Sequence, residues 1–292
     1  MGNDLISVYI PTHNRSALLK RALNSALNQS YKNVEIIVVD DGSKDDTKEV
    51  IQHYLNSHNN IIYLKHEQPK GACAARNYAI SVAKGKYITG LDDDDEFLPY
   101  HLETLFNAFD ESYAFVASSL LQDVGGSVIK HSLDCGIITL NSLLHYNKVG
   151  NQVFTLTSRM REVNGFDESF PAFQDYDTWV RLVLNFGPAK KITNATYIWH
   201  TEHEAERISG NPKKRLLALE LFCRKYNKYM TRKHLNSMFV MRKKLEKSSF
   251  SIVELISNIN GTNYKTVLSL YVNVNIPIIG GVWRRLKERR GL

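Results

Sequence analysis

Short apolar runs alternate with helix-patterned stretches over roughly the first 120 positions of the chain. Ile6–Ile10 is one such run, stopped by Pro11-Thr12, and reads as a strand. Ser16 then stands where an N-cap would, and Leu18, Leu19, Ala22, Leu23, Ala26 and Leu27 recur at helical spacing. Val34–Val39 is almost wholly apolar, as a strand buried on both faces should be. Asp45 or Asp46 can cap a helix reaching Leu55, Ile61–Leu64 reads as a third strand, Gly71–Ala83 as a helix and Tyr87–Leu91 as a fourth strand. Pro99 marks the start of a helix through Phe109, at the position where proline is tolerated. This alternation predicts an α/β fold around a mostly parallel sheet. Further on, strands are expected at Tyr113–Leu121, near Val153–Thr157 and at Ala195–Trp199, with a helix at Gln174–Asn185.

Ligands of open α/β sheets collect beyond the carboxyl ends of the strands. Three polar clusters stand there: Pro11-Thr12-His13-Asn14-Arg15, Asp40-Asp41-Gly42-Ser43 and Asp92-Asp93-Asp94-Asp95. The second cluster is equally good as a plain turn, since Asp, Gly and Ser suit turns, or as a carboxylate site for a base or ribose. The four consecutive aspartates are harder to explain as a turn, because like charges so close repel unless a cation joins them. A solvated acidic loop, or acidic bias near the helix after Pro99, is the plainer alternative. Carboxylates suit hard Mg²⁺ or Mn²⁺, and no Cys/His set suggests zinc.

Charge changes the picture at the C-terminal end. Residues 211–292 carry 18 Lys and Arg against four Glu, whereas residues 1–210 carry 19 basic against 26 acidic side chains. An acidic body (1–210) and a basic, mainly helical extension (211–292) are therefore expected. Lys, Arg, Leu and Tyr fall at helical spacing through Lys213–Lys247, and the end combines apolar residues with Trp283-Arg284-Arg285. Helices with a solvated basic face are one reading; contact with an anionic membrane surface is the other, and is favoured. Nucleic acid is not an expected partner, because no aromatic-basic RNA motif accompanies the charge. Cys73, Cys135 and Cys223 are sparse and odd in number, which suits a reducing compartment. With no secretory signal pattern and no apolar run of about 20 residues, the expected location is cytoplasmic, peripheral on the membrane's inner face.

Taken together, Pro11-Thr12-His13-Asn14-Arg15, Val39-Asp40-Asp41-Gly42-Ser43, Gly71-Ala72-Cys73-Ala74-Ala75-Arg76-Asn77, Leu91-Asp92-Asp93-Asp94-Asp95 with Pro99, Gly165-Phe166-Asp167-Glu168 and Gln174-Asp175-Tyr176-Asp177-Thr178-Trp179 resemble the ordered signatures of family 2 glycosyltransferases. The resemblance spans roughly residues 4–210. It implies a GT-A fold and transfer of a sugar, with inversion, from a nucleotide-diphosphate donor to a hydroxyl of a glycan or polyprenyl-linked glycan, as in bacterial cell-surface polysaccharide synthesis. Pro11, Thr12, Asn14 and Arg15 would line the nucleotide pocket. Asp40 would accept from the base, usually uracil, and Arg76 and Lys70 would lie near the donor. Asp92 and Asp94 match the DxD element with Asp93 between them, Asp94 being the preferred ligand of Mn²⁺ or Mg²⁺. Asp175 matches the catalytic base, though here Gln174 precedes it where many members carry Glu. His203, rather than His200, fits the histidine that members often place near the diphosphate or metal. A nucleotidyltransferase would need a basic Gly-rich triphosphate loop after the first strand, which is lacking. A non-catalytic sugar-nucleotide-binding module fits less well with Asp94 and Asp175 intact.

Overall fold

The computed structural model describes residues 3–124, 126–131, 135–200, 211–249 and 251–275. In chain order the strands and helices are β1 (Ile6–Thr12), α1 (Ser16–Leu27), β2 (Val34–Asp40), α2 (Thr47–Leu55), β3 (Ile61–Lys65), α3 (Ala72–Val82), β4 (Tyr87–Gly90), β5 (Glu96–Phe97), α4 (His101–Ala108), β6 (Val116–Val124), β7 (Ser127–His131), β8 (Gly136–Ile138), α5 (Leu140–Leu143), β9 (Thr155–Leu156), α6 (Thr157–Glu162), α7 (Gln174–Phe186), β10 (Ala189–His200), α8 (Pro212–Tyr226), α9 (Arg232–Glu246), α10 (Ile252–Asn258) and α11 (Tyr264–Asn275). They fall into two compact units. The first comprises residues 1–140, 148–168 and 174–204, the second residues 141–147, 169–173 and 205–292.

In the first unit one sheet runs β3-β2-β1-β4-β9, parallel except for β9. Every residue of β1 and β2 is buried, which is why both read as largely apolar runs, broken only by polar residues such as Ser7 and Glu35, rather than as alternating ones. Chain progress from β1 to β2 to β3 runs one way across the sheet. The connection through α3 then returns to place β4 on the other side of β1. The order therefore reverses between β1 and β4, and the crevice beyond their carboxyl ends is where such sheets bind ligands.

A second sheet runs β5-β10-β6-β7, with β8 also paired to β10. Its short strand β5 pairs antiparallel with β10, Phe97 opposite Tyr197. Five residues, Leu91–Asp95, separate β4 in one sheet from β5 in the other. The aspartate run is thus clamped at both ends. An apolar core that includes Ile6, Val8, Leu23, Ile36, Leu102 and Phe154 underlies it. The β2 carboxylate of Glu35, itself buried, accepts from Ser7 Oγ (2.6 Å), Lys84 N (2.5 Å) and Gly85 N (3.0 Å), fastening the chain entering β4 to the centre of the sheet.

Several local expectations shift. Ser16 is the first helical residue rather than the N-cap; its backbone N–H donates to Asp45 (3.0 Å) and its hydroxyl to Asp46, tying the starts of α1 and α2 together. Asp46 is the N-cap of α2, and Asp45 just before it takes the N–H (3.2 Å) and hydroxyl (2.6 Å) of Thr47, the first helical residue. The helix after Pro99 starts two residues later, at His101.

The second unit gathers α8–α11 with the two short segments 141–147 and 169–173, which lie on the catalytic side of the boundary expected at 210/211. Side chains explain why. His145 Nδ1 lies 2.8 Å from Ser237 Oγ, His234 Nε2 lies 3.0 Å from Asn141 Oδ1, and the Lys225 ammonium sits 5.0 Å from the Phe170 ring centre. No helix among the described residues is long and apolar enough to cross a membrane.

Candidate active site

The crevice between the ends of β1 and β4 is bridged by side chains. Thr12, last residue of β1, donates through Oγ1 to Asp93 Oδ2 at 2.8 Å. Arg15 reaches from the entry to α1 and places one guanidinium nitrogen 3.1 Å from both Asp93 Oδ1 and Asp94 Oδ2. Arg21 donates to the Asp94 backbone carbonyl. Pro11 is buried beside Val39 in the β1–β2 register, while Asn14 is exposed at φ 53° and accepts the Lys44 N–H through Oδ1 (2.8 Å). These contacts bring Thr12 and Arg15 to the aspartates and leave Asn14 shaping the neighbouring loop.

The four aspartates are not equivalent. The side chains of Asp92 and Asp94 are 21% and 16% exposed, whereas Asp93 and Asp95 are 5% and 1% exposed as residues. Alternate positions therefore face out of the protein. Inward-facing Asp95 accepts from Tyr197 OH (2.7 Å) and from His200 N (3.1 Å), and Tyr197 OH in turn accepts from Asp92 N (3.3 Å). Burial, together with the charges of Asp92 and Asp94, raises the Asp95 carboxyl well above its ordinary range. Burial also pushes the Asp93 carboxyl up to about 6, against the opposing pull of Arg15 and the Thr12 hydroxyl.

Asp92 is positioned from two sides on one oxygen. Arg76 of α3 and Gln152 both donate to its Oδ1, each at 2.9 Å. Gln152 is set by Tyr9 OH, which donates to its Oε1 at 2.8 Å. The fit is close: a Cβ on Gly90 would come within 2.1 Å of Gln152 Oε1 and 2.4 Å of the Tyr9 ring. Trp179 holds the neighbouring loop through Nε1 to Gly150 O (3.2 Å). Neither Tyr9, Gln152 nor Tyr197 stands out in the sequence, since each lies outside the polar clusters.

Asp175 lies in the first turn of α7, half-buried. Burial raises its carboxyl to about 6; the N–H of Tyr176 and the cation of Arg76 pull it down, and Asp92 pushes it up. Arg76 thus acts electrostatically on both Asp92 and Asp175, while its guanidinium carbon sits 5.3 Å from the Phe166 ring centre. The Gly165–Glu168 loop is stapled to α3 by Asn77, which donates to Phe166 O (2.8 Å) and Glu168 Oε1 (3.0 Å) and accepts from Phe166 N (2.7 Å). Gly165 is at φ 58°, and a Cβ there would lie 2.3 Å from Asn77 Oδ1, so both its backbone and its contact require glycine.

Asp40 occupies a different setting from the one expected of a base acceptor. It is fully buried and accepts from Ser43 N (2.7 Å), Tyr63 OH (2.7 Å) and Lys65 Nζ (3.0 Å). Burial would raise its carboxyl, but these bonds outweigh it and hold the pKa below the usual carboxylate range. A base can bond Asp40 only where one of these partners gives way, and the part-exposed Lys65 is the most movable. Asp41 is likewise engaged, by His66 Nδ1 (2.7 Å), Lys70 N (2.8 Å) and Gly71 N (2.7 Å). Lys70 therefore contributes a backbone contact here, its side chain being exposed. His200 of β10 lies 2.9 Å from Asp123 and 3.3 Å from Glu96. His203 lies outside the described residues.

Hard divalent cations take oxygen donors, and Mg²⁺ commonly uses one or two carboxylates plus substrate phosphates. Among the described residues no three His, Cys, Asp or Glu side chains converge into a metal cage. Outward-facing Asp92 and Asp94 fit the first habit, as oxygen donors needing phosphate to complete the set.

Residues 7–164 match the family model described as Glycosyl transferase family 2. Over 221 residues, 73% of this chain and 78% of the relative, the sequence is 39% identical to the "Putative colanic acid biosynthesis glycosyl transferase WcaA" of Escherichia coli (strain K12). Over 183 residues it is 40% identical to the "GalNAc(5)-diNAcBac-PP-undecaprenol beta-1,3-glucosyltransferase" of Campylobacter jejuni, covering 61% of this chain and 59% of that one. Among solved structures, S. aureus TarS 1-349 in complex with UDP-GlcNAc superposes with a TM-score of 0.65 at 20% identity, over 92% of this chain and 79% of that one. The mannosyltransferase PcManGT from Pyrobaculum calidifontis, in complex with GDP-Man and Mn2+, gives 0.53 at 16% identity, over 93% and 70%. The fold is that of the GT-A glycosyltransferases, as the motif order implied. The chain belongs to glycosyl transferase family 2.

Proposed function

We propose that this glycosyltransferase moves a sugar, with inversion, from a nucleotide-diphosphate donor, a UDP-sugar, to a hydroxyl of a glycan or lipid-linked glycan in cell-surface polysaccharide synthesis. The observation that carries this reading is that Arg76 bonds Asp92, at the sheet's switch point, while its charge also acts on Asp175, a carboxylate whose pKa is raised to about 6. A UDP-sugar complex of the similarly folded TarS and the undecaprenol-linked glycan in the Campylobacter relative's name support the donor and acceptor classes.

Asp175 is the base. A carboxylate with a pKa just below neutral is ionised at working pH yet basic enough to take the proton of an attacking hydroxyl. Asp94, with Asp92, would hold Mn²⁺ or Mg²⁺, which when bound neutralises charge on the departing diphosphate. Arg76 and Gln152 fix the Asp92 carboxylate, and Thr12 and Arg15 fix Asp93 and Asp94. Lys65 yields to let Asp40 meet the base, and the Asn77-stapled loop borders the acceptor. His203 remains a candidate for the diphosphate side. The basic second unit meets the anionic cytoplasmic face of the membrane, where a polyprenyl-linked acceptor resides.

Asp175→Asn keeps the side chain's shape and removes its basicity. Transfer should fall about 10²–10⁴-fold while donor affinity changes little. Near-normal turnover would remove Asp175 from the role.

A further inference from the structure

Helices α10 and α11 present an apolar face with no partner in the described chain. On α10, Ile252, Val253 and Ile256 are 60%, 68% and 68% exposed. On the next helix, α11, Tyr264 and Leu268 are 44% and 45% exposed. The same helices bury their other sides, where Val267 meets Val240 of α9 with Leu255 and Leu270 packed alongside. The exposed residues are thus the outward face of a correctly packed helical layer. So many large aliphatic side chains turned to water in one place mark an interaction surface.

Charge names the partner. Residues 232–275 carry seven Lys and Arg against two Glu. One of those acids, Glu254, is neutralised by Lys243 at 3.1 Å and accepts the Ser251 N–H in the α10 capping box. Exposed lysines stand on or next to these helices. Lys247 is the C-cap of α9, ahead of the loop into α10; Lys233 has its carbonyl 3.4 Å from Asn260 at the α10–α11 turn; Lys265 follows Tyr264 on α11. A second copy would bring a like-charged surface against this one. An anionic bilayer offers both an apolar layer for the isoleucines and phosphates for the ammonium groups, with Tyr264 suited to the boundary between them.

We infer that the α10–α11 face is the surface by which the protein docks on an anionic lipid bilayer, Ile252, Val253 and Ile256 entering the headgroup boundary and Lys233, Lys247 and Lys265 pairing with lipid phosphates. This rests on the reading of the second unit as membrane-facing, and places the apolar part of that contact within residues 252–268, with Lys233 and Lys247 beside it.

The test is co-flotation of the full chain with phosphatidylcholine vesicles, with and without phosphatidylglycerol, at low and high salt. Wild type should float only with anionic vesicles and be released by salt. Replacing Ile252, Val253 and Ile256 together with Ser, at exposed positions that leave the core intact, should weaken partition about tenfold or more. Lys233→Glu with Lys247→Glu and Lys265→Glu should do the same. Nucleotide-sugar binding, measured in parallel, should be unchanged in both variants, so a failed donor assignment and a failed docking surface give separate results. The inference is overturned if the serine variant floats like wild type or if neutral vesicles bind equally. It is also overturned if wild type does not float, or if the serine variant loses a self-association that wild type shows. Binding lost only on deletion of residues 276–292, with the serine variant intact, overturns it as well.

Discussion

The base assignment has a quantitative consequence in the pH dependence of transfer. Asp175 must be ionised to accept a proton, and burial raises its carboxyl to about 6. The ionised fraction is then about 0.9 at pH 7, 0.5 at pH 6 and 0.1 at pH 5, so kcat/KM should fall tenfold per unit below pH 6. Arg76 sharpens the test, because its cation is one of the influences holding Asp175 down. Arg76→Met keeps the aliphatic bulk against Phe166 and removes the charge. An opposite charge nearby is worth on the order of one pKa unit, so the acid limb should move up by about that much, to near pH 7. Asp93 is a competing source of the limb, since burial also raises it to about 6 and Arg15 lowers it. Arg15→Met should shift Asp93 upward while leaving the limb in place. The assay is initial-rate transfer across pH at saturating metal, with donor affinity followed separately. A limb that moves with Arg15→Met and ignores Arg76→Met would refute Asp175 as the titrating base.

Gln152→Leu preserves volume but removes the amide that links Tyr9 to Asp92. With Arg76 as the remaining partner on that oxygen, donor KM should rise about 5–30-fold, equivalent to about 1–2 kcal/mol, with kcat less affected; an unchanged KM would show that Asp92 needs no such positioning. Glu35→Ala removes the acceptor of the Ser7 hydroxyl and the Lys84 N–H, while Gly85 N–H keeps its bond to Ser7 Oγ. Unfolding free energy should drop by about 2–4 kcal/mol and the melting temperature by several degrees, measured by calorimetry, with activity per folded molecule retained.

The central sheet was legible because β1 and β2 are buried on both faces, which writes them into the sequence as largely apolar runs. The second sheet was less so. β10 contains Lys190, Lys191, Thr193 and Asn194, and its pairing with β6 is interrupted by register shifts, so neither apolar runs nor strict alternation announces it. Lys191 is 3% exposed because its ammonium donates to Lys148 O at 2.9 Å, a tertiary contact invisible to local pattern. At the site, motif order located the aspartate run and Asp175. It did not say which aspartates face outward: that is set by Thr12 and Arg15 on one side and Tyr197 on the other. Gln152 lies 60 positions from its partner Asp92 and carries no motif, so proximity alone exposes its role. Asp40 shows the converse, a motif residue whose oxygens turn out to be engaged by Ser43, Tyr63 and Lys65.

Use of a nucleotide-activated sugar with a divalent cation is tested most directly by a panel of UDP-, GDP-, ADP-, CMP- and dTDP-sugars. Each is presented with Mn²⁺, Mg²⁺ or chelator and scored by thermal shift and release of free nucleotide. Binding at about 100 times Kd adds about 2.7 kcal/mol to stability. At least one UDP-sugar should therefore raise the melting temperature clearly and be slowly hydrolysed, with both effects lost in chelator. No shift and no nucleotide release with any donor and either metal would contradict the account.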